Sequence, residues 1–143
     1  MSELDALFSP RSRVLDVPAA KPADALRFFL GKLGYEVDPY DVWDDMNNGV
    51  TGFEVIDTRD REAYEAAHVP GARNIWHPDI TPESVGDLGL DENTLYITYC
   101  WGPHCNAATK GAAKLAALGF RVKEMIGGIE GWRTDGYPVE KGL

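Results

Sequence analysis

Apolar residues along the chain follow two rhythms in succession. Leu26, Phe29, Leu30 and Leu33 are spaced i, i+3, i+4, i+7, the stripe of an amphipathic helix, with Pro22 placed to open it and Gly34 to close it. The stretch before it, Met1 to Lys21, carries Pro10, Pro18 and scattered charge without a period, and is expected to be partly extended. Residues 1–34 therefore read as an N-terminal arm with one amphipathic helix.

From Tyr35 the pattern becomes short strands separated by helices. Strands are expected at 35–37, 53–57, 74–76, 94–99 and 121–126, and helices at 39–47, 61–67, 81–88 and 106–118. Asn48-Gly49 and Pro70-Gly71 supply turns between them. The segment from Thr94 to Tyr99 is continuously apolar or β-branched, as a strand buried on both faces must be. In the helix after it, Ala108, Gly111, Ala112, Leu115 and Leu118 form one face, with Lys110 and Lys114 off it. Strands alternating with helices imply an α/β domain around a mostly parallel sheet. Gly127, Gly128 and Gly131 read as turns, because no Gly-x-Gly-x-x-Gly joins a strand to a long helix there. Trp43, Trp76 and Trp132 read as packing residues.

Composition narrows the function. With 143 residues and 44% hydrophobic content the chain can bury a core as a single domain. Twenty-three acidic against fourteen basic residues give a net charge of -9, which opposes nucleic acid and anionic membranes as partners. No apolar run reaches the length of a membrane span, so a soluble, cytoplasmic protein is expected. Two cysteines, Cys100 and Cys105, are too few for a disulfide framework. Their Cys-x4-Cys spacing and three scattered histidines lack the four ligands of a closed zinc site, so neither metal nor cofactor is expected.

Cys100 stands where chemistry is favoured: at the end of a buried strand, before the loop Trp101 to Cys105 and a helix starting near Asn106. Ligands of open α/β sheets gather at strand C-termini, and amides at a helix start bind anions. Only about 3% of an ordinary cysteine is thiolate at neutral pH, and a helix N-terminus can lower its pKa by a unit or more. A nucleophilic thiolate is therefore expected at Cys100.

Phe53 to Ile75, FEVIDTRDREAYEAAHVPGARNI, resembles the first signature of the rhodanese family through Asp57, Arg59, Glu62, Tyr64, His68 to Ala72 and Asn74. The order strand, Cys100, loop, helix, Gly119-Phe120, strand, Gly127-Gly128, Gly131-Trp132 and Gly136 to Val139 resembles the second. The resemblance runs from Tyr35 to Gly142. It implies a rhodanese-like three-layer sandwich over residues 35–143, a mostly parallel sheet flanked by helices. It also implies a sulfurtransferase: a donor such as thiosulfate gives its outer sulfur to Cys100, and the persulfide passes it to a thiol, to cyanide or to a protein acceptor. The amides of Trp101, Gly102, His104, Cys105 and Asn106 would surround the persulfide and the donor, while Pro103 shapes the turn. Asp57, Arg59 and His68 would brace the fold.

Two departures from the family pattern stand out. The stretch from Cys100 to Gly119 is about two residues longer than the common form and its loop has no arginine or lysine, which leaves His104 as its one ionisable cation. Ala67 replaces the glycine that usually precedes the histidine. A longer loop could admit a tetrahedral oxyanion, so a phosphatase or arsenate reductase is the alternative, disfavoured because no arginine lies between Cys100 and Arg121 to clamp the oxygens. A non-catalytic interaction module is the third reading. Cys105 is either a resolving thiol or a residue whose side chain turns into the protein, and the second is expected, since one nest cannot stabilise two adjacent anions.

Overall fold

The computed structural model describes residues 3–8 and 12–143. It divides into two compact units, Met1–Leu33 and Gly34–Leu143. Within the N-terminal segment Glu3–Phe8 forms helix α1, where an extended stretch was expected; residues 1–2 and 9–11 of that expectation lie outside the described residues. Helix α2, Pro22–Tyr35, begins as the stripe predicts. It does not end at Gly34, which is absent from the left-handed glycines and continues the helix by one more residue.

The second unit contains β1 (Glu36–Val37), α3 (Pro39–Asn47), β2 (Phe53–Asp57), α4 (Arg61–Ala66), β3 (Arg73–Asn74), α5 (Val85–Leu88), β4 (Leu95–Tyr99), α6 (Ala107–Ala117), β5 (Arg121–Met125) and α7 (Gly128–Thr134). Asp38 and Asp60 cap α3 and α4, accepting the N–H of Asp41 and of Ala63, each at 2.8 Å. The strands form one sheet in the order β1-β5-β4-β2-β3, and every pair is parallel.

A fully parallel sheet needs cover on both faces. Because side chains alternate along a strand, Val55, Ile97 and Tyr99 point to one face, where Val42 of α3, Tyr64 of α4 and Trp132 of α7 complete a core. Ile56 and Tyr96 point to the other, against Leu115 of α6. This is the three-layer α/β sandwich. Trp43 packs edge-on against Trp132, with ring centroids 5.7 Å apart.

Four local expectations are corrected. The third strand is Arg73–Asn74, and Trp76 lies beyond it, exposed rather than packed. A 3-10 turn at His77–Asp79 was not foreseen. The helix expected at 81–88 shrinks to Val85–Leu88, because Thr81 and Ser84 each accept the other's backbone N–H on their hydroxyls and hold a turn. The glycines read as turns open and enter α7: Gly127 is its N-cap, and Gly128 and Gly131 lie within it.

After β2 the chain runs through α4 to β3 on one side; after β4 it runs through α6 to β5 on the other. The sheet's order therefore reverses between two adjacent strands, and the crevice beyond their C-terminal ends is where a ligand site forms.

Candidate active site

Asp57 and Tyr99 end β2 and β4 side by side, paired in register. Beyond β2, Asp57, Thr58 and Arg59 are all buried. The Arg59 guanidinium donates to Asp57 Oδ2 at 2.7 Å and to the carbonyl of Ala67 at 2.5 Å, while the Arg59 amide donates to Asp57 Oδ1 at 3.0 Å. Tyr99 adds its hydroxyl to Asp57 Oδ2 at 2.6 Å and accepts the amide of Val69 at 3.0 Å. Burial and the Asp57 charge raise the Tyr99 pKa, so the phenol keeps the proton it donates. Burial alone would weaken the Arg59 cation, but Asp57 outweighs it and raises the Arg59 pKa further. Asn74 caps the arrangement through the carbonyls of Asp57 and Arg59, at 3.1 and 2.8 Å. Thr58 ties β2 to β4 with two bonds to the Tyr99 carbonyl.

Beyond β4 the loop from Cys100 to Asn106 walls a cleft of about 580 Å³, whose lining also includes Ala108, Thr109, Glu124 and the Gly127-Gly128 pair. Cys100 is 2% exposed at the edge of this cleft. Its carbonyl and that of Trp101 accept the amides of Ile129 and Glu130, both at 2.9 Å, so the first turn of α7 locks the back of the loop. That docking requires glycine at 128, which has a φ of 58°; a Cβ there would stand 2.5 Å from the Cys100 carbonyl oxygen and 2.6 Å from the Trp101 backbone. On the other flank Gly111 lets α6 approach β2, where a Cβ would meet Thr58 at 2.9 Å.

The Cys100 thiol donates to the Cys105 carbonyl oxygen at 3.1 Å, and its sulfur feels the amides of Trp101 and Ala108 and the Cys105 thiol. Burial is the largest influence on it, and with the Cys105 thiol raises its pKa to about 11. The lowering expected at Cys100 falls on Cys105 instead. Burial opposes ionisation there too, but the hydrogen bond from Cys100, the amides of Trp101 and Ala107 and the Arg59 cation outweigh it and bring the Cys105 pKa below its ordinary value. The pair therefore favours ionisation at Cys105 over Cys100.

Other expectations for the loop are corrected or extended. Cys105 is not turned into the protein; it is half-buried and lines the cleft. Its amide is not free for a ligand, because it donates to the Gly102 carbonyl at 3.0 Å and closes the turn. The Trp101 ring is outside the cleft lining and lies over the Arg59 guanidinium at 4.5 Å, so only its backbone serves the thiols. Gly102, His104 and Asn106 do line the cleft, and Asn106 is the N-cap of α6 without a side-chain cap bond. Ala107 and Ala108, overlooked in the sequence, supply amides to the sulfurs; their position in the first turn of the helix was the signal that could have found them.

His68 is not in the cleft lining. Its Nδ1 is 2.8 Å from the Tyr64 carbonyl oxygen, its ring stacks on Tyr64 at 3.8 Å, and its backbone exchanges two hydrogen bonds of 2.9 Å with Glu140. It fastens the C-terminal segment.

The family model for the Rhodanese-like domain matches residues 38–135. The thiosulfate sulfurtransferase GlpE of Pseudomonas putida is 36% identical over 90 residues, covering 62% of this chain and 76% of that protein. The HTH-type transcriptional regulator Rv0324 of Mycobacterium tuberculosis is 32% identical over 88 residues; there the match covers 62% of this chain and 38% of the regulator. The crystal structure of the BH2092 protein from Bacillus halodurans superposes with a TM-score of 0.80 at 47% identity, covering 85% of this chain and 87% of that one. No helix among the described residues is long and apolar enough to cross a membrane. With its parallel three-layer fold, its cysteine loop at the switch point and a match over residues 38–135, the chain belongs to the rhodanese-like domain family, which has sulfurtransferases among its members.

Proposed function

We propose that this protein is a cytoplasmic sulfurtransferase that carries sulfane sulfur as a persulfide on Cys100. The observation that carries the reading is the convergence of the Trp101 and Ala108 amides on the Cys100 sulfur at the edge of an open cleft. Its raised pKa makes Cys100 a poor nucleophile alone, and the bond to Cys105 supplies the remedy: Cys100 passes its proton to the Cys105 thiolate as the donor approaches. The Cys100 sulfur then attacks the outer sulfur of thiosulfate, the sulfur–sulfur bond of the donor breaks, and sulfite leaves with the bonding electrons. The backbone amides stabilise the anionic persulfide. A thiolate, cyanide or a protein thiol next takes the outer sulfur and returns Cys100 to its thiolate.

An oxyanion-cleaving activity is less well supported. The cleft lining contains no arginine or lysine, and Arg59 is held by Asp57, Ala67 and Trp101 rather than turned toward the cleft. The test is intact mass spectrometry after incubation with thiosulfate in the presence and absence of cyanide. The expected result is sulfur uptake and thiocyanate formation that both vanish in Cys100→Ala. Full activity in Cys100→Ala would overturn the reading, and cysteine-dependent turnover of an aryl phosphate would replace it with the phosphatase alternative.

A further inference from the structure

A persulfide carrier needs one cysteine, yet the cleft holds two, and the Cys100 sulfur stands 3.1 Å from the carbonyl oxygen of Cys105. Cys105 is half-buried beside Cys100, and its amide alone closes the turn with Gly102, so its side chain is not needed to shape the loop. The Cys100 thiol donates to the Cys105 carbonyl at 3.1 Å, and the two thiols lie close enough to influence each other's ionisation. The two cysteines are five residues apart on the loop between β4 and α6, so a bond between their sulfurs closes within that loop.

From this contact we propose a second activity, reductive release of the carried sulfur as hydrogen sulfide, with Cys105 as the resolving nucleophile and a dithiol as the reductant. The proposal rests on the Cys100 persulfide. The Cys105 thiolate attacks the inner sulfur of that persulfide, the Cys100 sulfur at the same end of the cleft. The outer sulfur takes a proton from solvent, the Cys100 to outer-sulfur bond breaks, the outer sulfur leaves as hydrosulfide with the electron pair, and a Cys100–Cys105 disulfide remains. An external dithiol then reduces this disulfide by exchange and is itself oxidised to a disulfide. Hydrosulfide is the better leaving group of the two sulfurs, since its conjugate acid is stronger than the Cys100 thiol, whose pKa is raised to about 11. The Trp101 and Ala107 amides and the Arg59 cation favour the attacking anion at Cys105. Where a thiolate or cyanide reaches the outer sulfur first, transfer occurs; where none does, the sulfur leaves as sulfide.

The experiment is a single turnover of the full chain with thiosulfate under anaerobic conditions, without cyanide or thiol. Sulfite, sulfide and the intact mass are followed in the wild type, Cys105→Ser and Cys100→Ala. The expected wild-type result is nearly as much sulfide as sulfite, loss of two hydrogens from the chain and a mapped Cys100–Cys105 disulfide. Cys105→Ser is expected to retain the extra sulfur and to release sulfide about tenfold more slowly. Added dithiothreitol should make the wild-type release catalytic. A wild-type persulfide as long-lived as that of Cys105→Ser, with no loop disulfide, would overturn the resolving role and leave the carrier reading intact. Absence of sulfur uptake and of sulfite in both proteins would overturn the carrier reading itself, and the resolving role with it. Extra sulfur held on Cys105 in Cys100→Ala would reverse the assigned order.

Discussion

Strands β2 and β4 lie side by side and end level with one another, yet the segments that continue them are built on opposite lines. After β2 the polar side chains are partnered within the protein: Asp57 accepts from Arg59 and Tyr99, Arg59 also reaches Ala67, and all three side chains are buried. After β4 the Trp101 amide and those of Ala107 and Ala108 at the start of α6 serve two sulfurs beside a cleft, while the Cys100 and Trp101 carbonyls are taken by α7. A buried charge pair is stable only when its hydrogen bonds are complete, so the first strand end is fixed by its own residues. The second is fixed from behind, which leaves its front free to meet a ligand. The cation links the two: Arg59 sits in the rigid end, lies over the Trp101 ring and acts on Cys105 by its charge.

If that division holds, mutations should separate stability from activity. Arg59→Ala leaves the Asp57 carboxylate buried without its countercharge, and the expected loss is about 3 to 5 kcal/mol in urea unfolding. Cys100→Ala should change the same measurement by less than about 1 kcal/mol while removing all sulfur loading. Equal destabilisation by the two would erase the contrast.

Gly128→Ala tests the support behind the loop. It combines a φ of 58° with a backbone clash at Cys100 and Trp101, and about 1 to 3 kcal/mol of lost stability is expected. Thiosulfate to cyanide transfer should fall with it, because the Cys100 carbonyl must move. A neutral substitution would mean that α7 does not hold the loop in place.

The order in which the thiols ionise gives a milder test. Alkylation by iodoacetamide, mapped by peptide across pH, should label Cys105 first, since its pKa is lowered, and Cys100 only as the pH approaches about 11. In Arg59→Lys, which keeps a cation but not the two-pronged grip on Asp57, the Cys105 profile should move by a fraction of a unit. Cys100 labelled ahead of Cys105 would place the resting charge on the other sulfur.

The smallest effect is expected at Glu124, which lines the cleft and accepts a hydrogen bond from Thr109 at 2.8 Å. Its charge repels an anionic donor through solvent, so Glu124→Gln should lower the KM for thiosulfate about twofold with kcat unchanged. A raised KM would show that the carboxylate binds the donor's partner groups instead.

Much of this architecture was written in local patterns. The buried run at Leu95–Tyr99, the face of Ala108, Gly111 and Leu115, and the order of strands and helices were legible because burial imposes a period on each element. Cys100 was legible as the candidate nucleophile because a strand end followed by a helix start is a local feature. Distant partners were not. Gly127 and Gly128 read as turns, since their purpose, letting the first turn of α7 meet the carbonyls of Cys100 and Trp101, depends on residues far back along the chain. The order in which the two thiols ionise was equally hidden: amides, burial and an arginine from the neighbouring strand end combine only once β2 and β4 are paired, and they favour Cys105 over Cys100. The sequence by itself determined which elements form and which thiol ends the strand, because those depend on neighbours along the chain. Which thiol ionises more readily and what holds the loop follow from the tertiary arrangement, because electrostatic and steric effects act through space.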